Sequence, residues 1–169
     1  MILGMPLSTF TWVHVVLSLI GILSGAVVLF GMLAAVRPAG WTMLFLAATA
    51  LTSVTGFFFP VGAFGPSHAV GVISLAVLGV AIFAIYAHRL ARSSRWIYVA
   101  SALAALYLNV FVGVVQAFRK LPFLQALAPT QSEPFLAAQG LVLAIFIVLG
   151  ILSVKRFHPE LKASALGSA

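Results

Sequence analysis

The stretch FFFPVGAFGPSHAVGVISLAVLG, Phe57 to Gly79, contains no Lys, Arg, Asp or Glu, and Pro60 with Gly65-Pro66-Ser67 interrupts its apolar pattern just long enough for one tight turn. An uncharged turn between two long apolar runs belongs at the surface of a bilayer. The limb before it, about residues 41–59, and the limb after it, about residues 66–87, are each long enough to cross about 30 Å of hydrocarbon at 1.5 Å per residue. The stretch is therefore read as a membrane hairpin, and the rest of the chain is read outward from it.

Three more apolar runs flank the hairpin. The first covers about residues 10–36 and stops at Arg37-Pro38-Ala39-Gly40; the fourth covers about 96–118, after Arg89, Arg92 and Arg95 break the pattern; the fifth covers about 134–154 and closes on Lys155-Arg156. With 169 residues, 63% of them hydrophobic and 7% charged, little chain is left for a water-soluble domain. The expected fold is all-α, a polytopic membrane protein made of one bundle of five transmembrane helices. Residues 119–133 form an outer loop whose Leu121, Phe123, Leu124 and Leu127 suit a short interfacial helix, and residues 155–169 form a frayed inner tail.

Charge chooses the direction of insertion. With the amino end outside, the inner segments hold Arg37, Arg89, Arg92, Arg95, Lys155, Arg156 and Lys162, and the outer ones hold only Arg119 and Lys120. The expectation is an N-terminus outside and a C-terminus inside, in a bacterial inner membrane. Trp12, Trp41 and Trp96 each fall at a span end, where an indole buries its ring and keeps its N–H wet. The formal charge of +7 is dispersed over loops and helix ends, which argues against nucleic acid as a partner. Cys is absent, which excludes disulfides, thiolate metal sites and covalent haem attachment. The first run lacks a basic region before it and a cleavage site after it, and is read as a retained span.

Two histidines fall on the outer side under this topology. His14 sits one to two turns inside the first span and His68 at the start of the third, and an ionisable residue at such depth is a functional candidate. Residues seven and eleven apart lie within about 20° of one helical line, so His14 shares a stripe with Gly21 and Gly25, and His68 with Gly79. Two imidazoles on facing helices can ligate a metal or the iron of a b-type haem, with glycines beneath admitting a flat ring and Arg119 pairing a propionate. A quinone head group is the alternative cofactor. The same glycines also serve close helix packing, and a histidine near the interface can be merely wetted.

A second constellation is polar. Asn109, Gly113 and Gln116 lie along one face of the fourth span, and Gln139, Gln131 and Glu133 can approach the same outer half. Buried amides need partners, so Asn109 and Gln116 are expected to face the interior, either as interhelical hydrogen bonds or as a pocket for a head group or small metabolite. Glu133 can instead favour the start of the fifth helix, or complete a zinc or non-haem iron site with His14 and His68. Thr49, Thr52, Ser53, Thr55 and Gly56 form a small polar stripe read as packing. Phosphate loops, HExxH and GxSxG are absent, and no acid lies within a span, which argues against proton-pump or ion-channel chemistry.

Trp12-Val13-His14 followed by Gly21 and Ser24-Gly25, with His88-Arg89 before an aromatic-led fourth span, resembles small multi-spanning bacterial inner-membrane proteins. That resemblance implies a location and no activity. Four-helix b-type cytochromes look similar in architecture alone, having four spans and a different set of histidine positions. The expected activity is electron transfer at an outer cofactor site. The competing expectations are a cofactor-free accessory or scaffold subunit, within a larger membrane complex or a homo-oligomer, and a small-molecule transporter or sensor using Asn109 and Gln116.

Overall fold

The computed structural model describes residues 1–60, 65–86, 94–127 and 132–158, and all regular structure among them is helical. In chain order the helices are α1 (Leu7–Leu33), α2 (Ala39–Gly56), α3 (Pro66–Tyr86), α4 (Ser94–Lys120), the short α5 (Pro122–Leu127) and α6 (Glu133–Arg156). All but α5 are long and apolar enough to cross a membrane. His88, Arg89, Arg92, Gln131, Glu160 and Lys162 fall outside the described residues.

Helices α1 and α2, and helices α4 and α6, run antiparallel in a register that individual contacts fix. Along α1, His14, Gly21 and Gly25 meet Thr55, Thr49 and Phe45 of α2 in turn, one ascending as the other descends. Along α4, Tyr98 meets Phe157 just past α6, and Leu103, Tyr107 and Phe118 meet Gly150, Phe146 and Phe135 within it. Helix α4 is the hub, packing on α1, α2, α3, α5 and α6, whereas α1 and α3 do not pack on each other among the described residues. Around α4 the core gathers Phe45, Leu78, Ala81, Val99, Ala105 and Leu106.

Lipid is as apolar as leucine, so such a bundle is held by close packing and interhelical hydrogen bonds more than by apolar burial. Gly25 supplies the closest approach, since a Cβ there would lie 2.5 Å from Leu106 Cδ1 and 2.9 Å from the Phe45 ring. The polar links are Asn109 Nδ2 donating to Thr49 Oγ1 at 3.0 Å, Ser53 to Ser74 at 3.1 Å and Gln139 Nε2 to the Phe111 carbonyl at 3.2 Å. Each such link contributes about 0.6 kcal/mol inside a membrane.

Several helix ends depart from the sequence reading. Helix α1 stops at Leu33, short of residue 36, because Ala35 takes a left-handed conformation at φ 57° and the Ala35 and Val36 amides close on the Met32 and Gly31 carbonyls. This is a Schellman ending with alanine where glycine is usual. Replacing Ala35 with Gly is expected to stabilise the chain by about 1 kcal/mol, read as a raised thermal midpoint in detergent, because a left-handed alanine costs about that much.

Helix α4 runs on to Lys120, so Arg119 and Lys120 occupy its last turn, where positive charge suits the exposed carbonyls. Helix α5 stands where an interfacial helix was expected, with the Gln125 side-chain amide bonded back to the Arg119 carbonyl and Phe123 exposed. The tail expected to fray from residue 155 is ordered as far as it is described, to residue 158. Lys155 and Arg156 belong to α6, and Phe157 beyond it is fully buried against Tyr98, with Arg95 Nη1 donating to its carbonyl at 2.8 Å.

Candidate functional site

The end of the bundle that holds the start of α1, the end of α2 and the last turn of α4 carries the most developed polar arrangement. Phe10, His14, Thr55 and Phe59 meet there, because α1 and α2 antiparallel to one another bring His14 level with the last turn of α2. His14 is half-buried, its ring edge-on to Phe59 with centroids 5.1 Å apart, and Phe10 contacts both Phe58 and Phe59. Gly56 lies beneath the ring, where a Cβ would be 3.8 Å from its Cε1. Lys120 stands in the last turn of α4 at this same end.

The hydrogen bonds of Thr55 assign the His14 tautomer. Its hydroxyl oxygen lies 2.7 Å from the Leu51 carbonyl and 3.1 Å from the Thr52 carbonyl, neither of which can donate, and a hydroxyl has one hydrogen to give. The 2.8 Å contact to His14 Nδ1 must then be donated by the imidazole. In the neutral ring Nε2 is left as a lone pair, with no hydrogen-bond partner among the described residues. A histidine oriented through one nitrogen and open at the other is the arrangement that metal ligands and proton acceptors share.

His68 lies at the same end but in different surroundings. Its ring stacks on Phe57 with centroids 5.6 Å apart, and its Nδ1 accepts the Gly65 amide at 3.2 Å. His14 therefore leans on Thr55 and Phe59 and His68 on Phe57, from two helices that do not pack together. Nor do the histidine stripes lead into open slots. Thr49 and Asn109 crowd Gly21, Phe45 and Leu106 close over Gly25, and Gly79 is exposed with nothing within 4 Å. The described residues contain no group of three or more His, Cys, Asp or Glu able to hold a metal ion.

The chain matches no family model, curated protein or solved structure.

The expected polar pocket separates into parts. Asn109 is buried and committed to Thr49, and Gln139 is buried against Phe111 with its Oε1 unpartnered among the described residues. Gln116 is exposed, contrary to the expectation that it faces inward with Asn109. The C-terminal third of α4 is covered by α6 along the Phe111 and Phe118 stripe, about 200° around the helix from Asn109, so the Gln116 side is left uncovered. Glu133 is exposed in the first turn of α6, with Ser132 at the capping position. Thr55 and Phe59 are the partners that helical spacing alone did not single out; Thr55 was visible only as one of several small polar residues on α2.

Proposed function

We propose that this chain is a multi-pass protein of a bacterial inner membrane, amino end outside, that holds a quinone head group at His14. The observation that carries the reading is the His14 ring itself, pinned at Nδ1 by Thr55 and presenting a free Nε2 between aromatic side chains. Quinol hydroxyl, aromatic ring and apolar tail each find a counterpart there: a lone pair, the half-buried Phe59 ring, and exposed Phe58 toward the lipid. On oxidation one quinol proton goes to Nε2 and the proton of the second hydroxyl to water, both electrons pass to an acceptor in a partner complex, and quinone is left. A haem shared by His14 and His68 is supported less well, since His14 is held by Thr55 and Phe59 and His68 by Phe57 and Gly65.

The test is equilibrium binding of a short-chain benzoquinone and its quinol to detergent-purified protein, followed by quenching of Trp12, two residues from His14 and exposed. Saturable binding is expected. His14→Ala should weaken it about tenfold, the equivalent of one hydrogen bond at about 1.4 kcal/mol, while His68→Ala should change it less than twofold. Binding that never saturates, or that ignores His14→Ala, would overturn the proposal. A chain that binds no quinone and leaves mild detergent only inside a larger complex answers instead to the accessory-subunit reading. That alternative is favoured by α6, of whose most apolar stretch only 11% is buried, and by its exposed Ala137, Gly140 and Ala144.

A further inference from the structure

At the opposite end of the molecule a groove of about 380 Å³ runs between α4 and α6. Leu103, Phe146, Gly150 and Val154 line it, exposed Ile147 and Ile151 form its outer rim, and Lys155 is its one charged lining residue. Gly150 keeps it open: a Cβ there would approach only Leu103 Cδ1, at 3.8 Å, so a larger side chain would occupy the groove itself. A long apolar trough ending in a single ammonium matches a molecule with a hydrocarbon chain and a negative head.

We infer that this groove binds an acyl chain of an anionic phospholipid, with the lipid phosphate on Lys155. Charge decides between the occupants. Lys155 and Arg156 have no carboxylate partner among the described residues, and Arg95 nearby is engaged with the Phe157 carbonyl. Of the two acidic residues in the sequence, Glu133 lies at the other end of α6 and Glu160 lies outside the described residues. A second copy of a chain with a net charge of +7 would bring more positive charge to this place, and a zwitterionic lipid, whose phosphate is already balanced by its own ammonium, would leave the site with a net positive charge. Basic pockets between transmembrane helices are where anionic lipid head groups are held. The inference is independent of the His14 site and of which way the chain is inserted.

Competition between phosphatidylglycerol and phosphatidylcholine for the full chain in mixed micelles, read by native mass spectrometry, tests it. Phosphatidylglycerol should be retained about fivefold better, the ratio that about 1 kcal/mol per basic residue represents. Lys155→Gln should abolish that preference, and Arg156→Gln should leave most of it. Gly150→Leu should lower retention of both lipids while thermal midpoint and helix content stay near the wild type. A preference that survives Lys155→Gln, or that follows Arg156 instead, overturns the assignment of the head group. Lipid retention that survives Gly150→Leu in a folded protein, or a lipid-free dimer across α6, overturns the groove.

Discussion

Gly25→Leu is expected to destabilise the bundle by about 3 kcal/mol or more, enough to leave little folded chain in detergent. The new Cβ alone would stand 2.5 Å from Leu106 Cδ1 and 2.9 Å from two Phe45 ring carbons, and the rest of the side chain would extend into the same space. Leu106 could swing its methyl aside, but Phe45 is 1% exposed and wedged between α1 and the core, so its ring has nowhere to go. Overpacking of a dense core typically costs 1–3 kcal/mol for smaller insertions than this one. The separation of α1 from α2 and α4 must widen, and with it the close packing of Gly21 against Thr49 and Asn109 one turn away is lost. Gly140→Leu is the matched control: nothing lies within 4 Å of the Cβ position there, and the change should stay within about 0.5 kcal/mol. Size-exclusion thermostability of the two variants side by side decides the matter, and equal midpoints would mean that α1 does not pack as described.

The same glycine shows what the sequence could and could not convey. Five spans were legible because the signal is compositional: 63% hydrophobic residues, with charge confined to short breaks, admits few alternatives. That His14, Gly21 and Gly25 share a face was also legible, because helical periodicity is a local property. What lies opposite that face is not local. Gly25 meets Phe45 and Leu106, and His14 meets Thr55 41 residues away, through a register that no spacing within α1 encodes. Pairing His14 with His68 required α1 and α3 to face each other, whereas α2 and α4 are the elements that α1 and α3 share as neighbours. Helix ends were misjudged for a different reason. Alanine at position 35 carries none of the signal that glycine would have given for a left-handed turn, and Phe157 follows a Lys-Arg pair that reads as the start of a solvated tail.

Phe157→Ala should be the second severe change, costing about 3 kcal/mol, although the residue lies beyond the last span. The side chain is fully buried, its ring 5.9 Å from that of Tyr98, which is itself fully buried, and truncation would leave a void between α4 and the end of α6. Near a helix end the alternative to burial is water and head groups and no longer hydrocarbon, so apolar burial regains the driving force it lacks at mid-bilayer. Arg95 adds direction: its guanidinium holds the Phe157 carbonyl at 2.8 Å and closes the end of α6 whose Ser153 carbonyl receives the Phe157 amide. Loss of the ring should therefore loosen that last turn, and limited proteolysis should cut inward of residue 157 in the variant while sparing it in the wild type. Phe157→Leu should recover more than half of the stability by refilling the space. Arg95→Gln should cost about 1 kcal/mol alone and less than that on top of Phe157→Ala, because both act on the same closure. Additive losses from the pair, or a wild-type cleavage pattern in Phe157→Ala, would show that the chain past Arg156 is not anchored to α4 at all.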